Sequence, residues 1–298
     1  MKTLFLGLTL GTLTLNAVAC DEQAADYKTC IAQQYRQPVA QWPSPQVDAD
    51  VQWQEMAALP AHAPAPPDNP FSEAKAELGK KLFNDPKLSR SGQIACASCH
   101  EADMAFAAGR RVSFGHDRQS GRRNAPSLVM SGYSPALFWD GRGGTLEQQA
   151  MHPIVDPVEM AFDIPQLLQR LNTDSAYREE FAQVFGPGPI TPQQTAQALA
   201  TFQRTLVSAT RNTAFEQLLR GRPQRMSDEQ LYGLHLFRTK ARCMNCHFGP
   251  ALSDEQFHNV GLSYYGRKYE DLGRYEVTRK PEDVGAFRTP SLRLVMKT

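Results

Sequence analysis

The chain has 298 residues, enough for one large domain or two smaller ones with real cores. Its 32 basic and 31 acidic residues leave a formal charge of +1, which excludes long-range attraction to nucleic acid or to an anionic membrane. A hydrophobic share of 41% excludes wholesale disorder, and 21 prolines point to many loops and short helices.

Residues 1–19, "MKTLFLGLTLGTLTLNAVA", carry one lysine, then an apolar run, then Ala17-Val18-Ala19. That order reads as an export signal with a small-residue cleavage site. The run is too short and interrupted for a spanning helix. The mature chain would begin at Cys20, in an oxidising compartment such as the periplasm. Cys20 has two readings there. Either it carries lipid, which makes the chain a membrane-anchored lipoprotein, or it pairs with Cys30 across a short loop.

Residues 37–70 are proline-rich and read as an extended wrap or linker. A helix begins at Ser72, with Leu78, Leu82 and Phe83 on one stripe. It leads into "CASCH", which holds Cys96, Cys99 and His100. Further on, Thr191 caps a helix whose first residue is Pro192 and whose apolar face is Ala196, Leu199, Phe202 and Leu206. Gly221-Arg222-Pro223 marks a boundary. Ser227 and Gln230 form a capping box at the start of another helix, which leads into "CMNCH", with Cys243, Cys246 and His247. Both helices carry Gly-x-x-Leu-Phe (Gly79 to Phe83, Gly233 to Phe237), so helix, short loop and Cys-x-x-Cys-His form an internal repeat. Strand signals are scarce. The second unit, roughly 76 residues from Pro223, ends at "FRTPSLRLVMKT" without a closing helix and reads as incomplete.

Three chemistries compete for the two pentads. Zinc would need four ligands near one another, yet Cys99 and Cys243 lie 144 positions apart, far beyond zinc-finger spacing. A redox dithiol explains two cysteines but leaves the histidine idle both times, and no βαβ pattern surrounds either pentad. Covalent c-type haem uses every residue. Two thiols take the two vinyl groups, and the histidine that follows sits beneath the iron. Two pentads mean two haems, with His100 and His247 as proximal iron ligands.

Between the pentads lie "GHDRQSGRRNAPSL", "LFWDGRGGTLEQQA" and "HPIVDPVEM". With the pentads, these segments resemble the bacterial diheme cytochrome c peroxidase family, which includes related tryptophan-modifying diheme enzymes. The likeness covers roughly residues 68–298. It implies a mostly α fold of two cytochrome c-like domains, each with one covalent haem, and a calcium ion between them. The expected division is a signal at 1–19, an N-terminal extension at 20–68, a peroxidatic domain at 69–222 and an electron-transfer domain at 223–298.

The resemblance also implies roles. Glu159 matches the catalytic glutamate that relays a proton, and Gln149 its partner that orients peroxide. Trp139 matches a tryptophan between the haems, or is simple core. His116 falls where some members place a displaceable iron ligand, and is otherwise an exposed loop histidine. Asn124 matches a calcium ligand, or caps a turn. Met296 is the last methionine available as sixth ligand of the second haem, a role that relatives fill beyond this point with methionine or tyrosine. His62, His152, His235 and His258 have no metal-spaced partner and receive no role. The expected activity is reduction of hydrogen peroxide with electrons from a small cytochrome c or cupredoxin. The alternatives are oxidation of tryptophan or tyrosine on a partner protein, and electron carriage without chemistry. Homodimer formation is left open.

Overall fold

The computed structural model describes residues 20–298; the export-signal reading of residues 1–19 lies outside the described residues. The architecture is helical: α1 (Tyr27–Tyr35), α2 (Glu73–Asn84), α3 (Leu146–Val155), α4 (Ile164–Thr173), α5 (Ser175–Phe185), α6 (Pro192–Thr205), α7 (Ala214–Leu219), α8 (Asp228–Arg238) and α9 (Tyr275–Thr278). The two-residue strands β1 (Phe257–His258) and β2 (Phe287–Arg288) pair antiparallel, with Phe257 opposite Arg288. No helix among the described residues is long and apolar enough to cross a membrane.

Local chemistry sets the helix starts. The Ser72 hydroxyl accepts from the Lys75 amide at α2. Thr191 and Gln194 close a capping box at α6, with Pro192 first in the helix. Ser227 and Gln230 do the same at α8. Each satisfies backbone donors that a bare helix end would leave open.

The apolar stripes foreseen on α2 and α6 face each other. Leu78, Leu82 and Phe83 pack with Leu199, Phe202 and Leu206 in one buried cluster, each large side chain contributing about 1.5–3 kcal/mol. Gly79 allows the close crossing, since a Cβ there would lie 1.9 Å from the Ala198 carbonyl oxygen. Gly233, its counterpart in the repeat, is exposed, and a Cβ there would meet nothing within 4 Å.

A second cluster surrounds α8. Ile31, Ala32 and Tyr35 of α1, with Trp42 and Met56 of the proline-rich wrap, pack with Leu231, Leu234 and Met244. The N-terminal extension therefore contributes to the core of the second unit, as a wrap packed on α8. Glu55 accepts two hydrogen bonds from the fully buried Arg238. Arg293 donates to Ala57 O and Pro250 O, and pairs with the buried Glu216. Cys20 is disulfide-bonded to Cys30 at the start of this segment. A sulfur in that bond has no thiol left to carry lipid.

Candidate functional site

The first pentad is one tight turn. Cys96–Ser98 forms a 3-10 turn, and the His100 amide donates to Cys96 O at 3.0 Å. The His100 Nδ1 lies 2.9 Å from Phe106 O. A carbonyl only accepts, so Nδ1 carries the proton and Nε2 keeps its lone pair. Burial lowers the His100 pKa, which keeps the ring neutral. Burial also pushes the Cys96 thiol up to about 12 and raises Cys99, the reverse of an activated redox dithiol.

The second pentad repeats the design. Cys243–Asn245 is again a 3-10 turn, the His247 amide donates to Cys243 O at 2.9 Å, and Nδ1 lies 3.0 Å from Leu252 O. Both acceptor carbonyls belong to residues in the left-handed region, Phe106 at φ 57° and Leu252 at φ 52°. A non-glycine residue there is strained, and in both units the strained residue fixes which imidazole nitrogen is free.

Each pentad therefore presents two thiols and one imidazole nitrogen, the donor set of a c-type haem. Among the described residues, the one group of three or more thiol, imidazole and carboxylate donors close enough to share an ion is Cys246, Asp254 and His258. It includes neither Cys243 nor the first pentad, so the sulfurs do not assemble a four-ligand zinc site.

A cavity of about 450 Å³ opens over the first pentad, within the range of cofactor pockets. Phe83, Ile94, Leu128 and Leu199 give it apolar walls, while Cys96, Cys99 and His100 line it with Trp139, Gln149 and Glu159. Gln203 also lines it, and its Oε1 is buried without a partner among the described residues. Gln149 projects from α3, whose start is capped by Thr145. Glu159 sits in the turn after α3, its amide bonded to Asp156 O. Burial, reinforced by Asp156 and opposed by Arg142, raises the Glu159 pKa.

The other expected residues are placed as follows. Trp139 donates its indole N–H to Asn124 O at 2.9 Å, and its own carbonyl accepts from Arg288 of β2 at 2.9 Å. It is thereby tied to both units. The His116 ring is not part of the cavity lining; its Nδ1 is buried without a partner among the described residues, and Nε2 lies 3.6 Å from Asp117. The Asn124 side-chain amide donates to Ala108 O and Arg110 O. Met296 is 94% exposed, because Leu294 enters the left-handed region at φ 60° and carries the last turn into solvent.

With the geometry in place, residues 73–224 match the family described as di-haem cytochrome c peroxidase. The chain is 42% identical over 241 residues to methylamine utilization protein MauG of Methylophilus methylotrophus, covering 78% of this chain and 69% of that protein. It is 36% identical over 244 residues to cytochrome c551 peroxidase of Nitrosomonas europaea, covering 82% and 72%. The chain belongs to the di-haem cytochrome c peroxidase family. Among solved structures, a MauG-like protein associated with microbial copper homeostasis aligns with a TM-score of 0.71 at 31% identity, over 85% of this chain and 77% of that one. Family membership makes the chain an oxidoreductase with two c-type haems, and the two pentads are the places that fit them.

Several features of this di-haem chain were not foreseen. A half-buried ionic hub joins the two units: Arg123 bonds the buried Asp140 at 2.6 Å and Asp271 at 2.7 Å through two nitrogens. Arg274 donates to the carbonyls of Asp140 and Gly141. His258, given no role from sequence, lies 2.7 Å from Asp254, whose amide bonds Cys246 O. His235, also given none, stands between two tyrosines. The sequence signal was present in the arginines of "GRRNAPS", but their partners Asp271 and Glu276 lie 148 and 154 residues downstream.

Proposed function

We propose that this chain is a periplasmic peroxidase that reduces hydrogen peroxide to water with electrons from a small cytochrome c or cupredoxin. One observation carries the reading: Glu159 and Gln149 face the same apolar cavity as the His100 pentad, with the Glu159 carboxyl desolvated. Haem bound at the two pentads would supply the redox chemistry, receiving electrons singly on the His247 side and delivering two to peroxide on the His100 side.

The chain's own residues handle the rest. Gln149 holds peroxide through its amide, which has no hydrogen-bond partner among the described residues. Glu159 takes the proton from one peroxide oxygen and returns it to the other, so that the departing oxygen leaves as water. A carboxyl whose pKa is raised toward neutrality serves both halves of that transfer. The apolar walls keep bulk water from competing. Trp139, bonded on both sides, lies on the route between the units. His116 would reach the cavity only if the loop at Gly115–Gln119 moved; Asp117 and Arg118 hold strained positive φ there, at 53° and 58°. A calcium ion at Asn124 would require its amide turned, so that Oδ1 joins the carbonyl oxygens of Ala108 and Arg110.

The 42% identity to a protein named MauG favours a second reading, oxidation of a side chain on a partner protein. The test is to add peroxide to the half-reduced, haem-loaded protein and follow a reduced cytochrome c. Rapid donor oxidation supports the peroxidase. A long-lived oxidised state with little turnover supports the second reading, and no spectral change removes both.

A further inference from the structure

Around α1 and α8 a line of hydrogen-bonded rings runs from the second unit's core to solvent. Tyr35 is fully buried and shares its cluster with Trp42 and Met244, the latter inside the second pentad. The Tyr35 hydroxyl lies 3.3 Å from His235 Nδ1, and the Tyr27 hydroxyl lies 3.3 Å from His235 Nε2. Tyr27 in turn donates to the exposed Glu22 carboxylate at 3.5 Å.

These bonds permit one direction. Glu22 only accepts, so the Tyr27 oxygen is left to accept from His235 Nε2–H. A neutral imidazole protonated at Nε2 has a bare Nδ1, which accepts from the Tyr35 hydroxyl. Three donors therefore point the same way, from the buried phenol to the surface carboxylate. We propose that Tyr35 is a redox-active tyrosine whose electron passes to the second haem site and whose proton passes to His235, toward Tyr27 and Glu22. This rests on the peroxidase reading for its oxidant.

The step balances. The Tyr35 O–H bond breaks, leaving a neutral phenoxyl radical, and one electron fills a vacancy created by peroxide. A proton binds His235 Nδ1 while the Nε2 proton moves to Tyr27, whose own proton goes to Glu22. The surroundings select Tyr35 over its neighbour. The Arg238 guanidinium stands 5.9 Å from the Tyr35 ring and 5.3 Å from Trp42, which opposes a cationic radical on either. Tyr35 escapes that penalty by losing its proton to His235, whereas the Trp42 N–H faces the Gln37 carbonyl, which is no base. Burial pushes the Tyr35 phenol up to about 12, so the proton leaves with the electron and not before it.

The experiment mixes haem-loaded protein with hydrogen peroxide, without donor, and freeze-quenches for electron paramagnetic resonance. A tyrosyl signal is expected, lost in Tyr35→Phe, which keeps the ring and its packing. Tyr27→Phe and His235→Gln should retain the fold and slow the appearance of the signal. A signal unchanged in Tyr35→Phe, or no radical while peroxide is consumed, overturns the proposal; unchanged rates in both relay variants overturn the proton route. If peroxide is not consumed, the peroxidase reading fails instead, and hexachloroiridate(IV) then supplies the oxidising equivalent. A Tyr35-dependent radical under that reagent upholds the tyrosine assignment, and a Tyr35-independent one ends it.

Discussion

The backbone amide of His116 donates to the carbonyl oxygen of Glu159 at 2.8 Å, and this bond fixes the turn that carries the carboxylate. The approach depends on Gly115, where a Cβ would lie 2.1 Å from Val158 O and 2.6 Å from Glu159 O. Gly115→Ala must push the two segments apart. A displacement near 1 Å at a reacting group costs about 10²-fold in rate. We expect kcat for peroxide reduction to drop by about that factor while the pyridine haemochrome still reports two haems. An unaltered kcat would show that the bond does not position Glu159.

Glu159→Gln keeps the size of the side chain and removes the proton relay. Loss of such a group costs about 10²–10⁴-fold, to be read as steady-state oxidation of the donor. Burial raises the Glu159 pKa, so the carboxylate needed to accept the first proton is lost on acidification from a higher pH than for an ordinary glutamate, near 4.3. The acid limb of kcat/KM should therefore begin above that value and vanish in the variant. Stability follows the opposite sense. The fold holds this proton more tightly than the unfolded chain, so stability declines as pH rises through the folded-state pKa. The neutral glutamine should raise Tm at pH 7, and a lower Tm would contradict the burial argument.

The two repeat glycines should respond in opposite directions. At Gly79 an alanine Cβ meets the Ala198 carbonyl of α6, and overpacking of this kind costs about 1–3 kcal/mol. At Gly233 nothing lies within 4 Å, and replacing a mid-helix glycine by alanine gains about 0.5–1 kcal/mol. Thermal melts of both variants measure the contrast; matching shifts would refute it.

Arg123→Met should loosen the joint between the units. Only Asp140 is buried, and it keeps Arg142, so removing the half-buried guanidinium costs about 1–3 kcal/mol. Burial alone would raise Asp140 and Asp271, but hydrogen bonds from Arg123 outweigh it and hold both below the usual carboxylate range. Their pairing stabilises the fold above the unfolded value of about 3.9 and is lost as pH falls through the lower folded values. The stability gap between wild type and variant should thus narrow in acid. A constant gap from pH 7 to pH 3 would show that the hub carries little of the ionic stability.

Much of this was legible in the chain because the signals are local. Ser72, Thr191 and Ser227 name their helix starts within three residues, and each pentad gathers two thiols and an imidazole within five. The carbonyls of Phe106 and Leu252 were not legible, since a left-handed non-glycine residue leaves no compositional mark. Nor was the role of α1: its helix carries too weak an apolar stripe to say which partner it covers, and α8 lies about 200 residues away. Met296 was read from residue type alone, which says nothing about the turn that carries it outward.

The clasp around Glu55–Leu59 bears on how the protein is made. Glu55 is held by a residue 183 positions ahead, Leu59 by one 157 ahead, and Ala57 by one 236 ahead. A polypeptide that emerges from one end cannot close this clasp until Arg293 has appeared. Such long-range closure slows folding. Both Cys-x-x-Cys-His pentads precede Arg293 in the chain, so the wrap can lock over the second unit only after both have emerged.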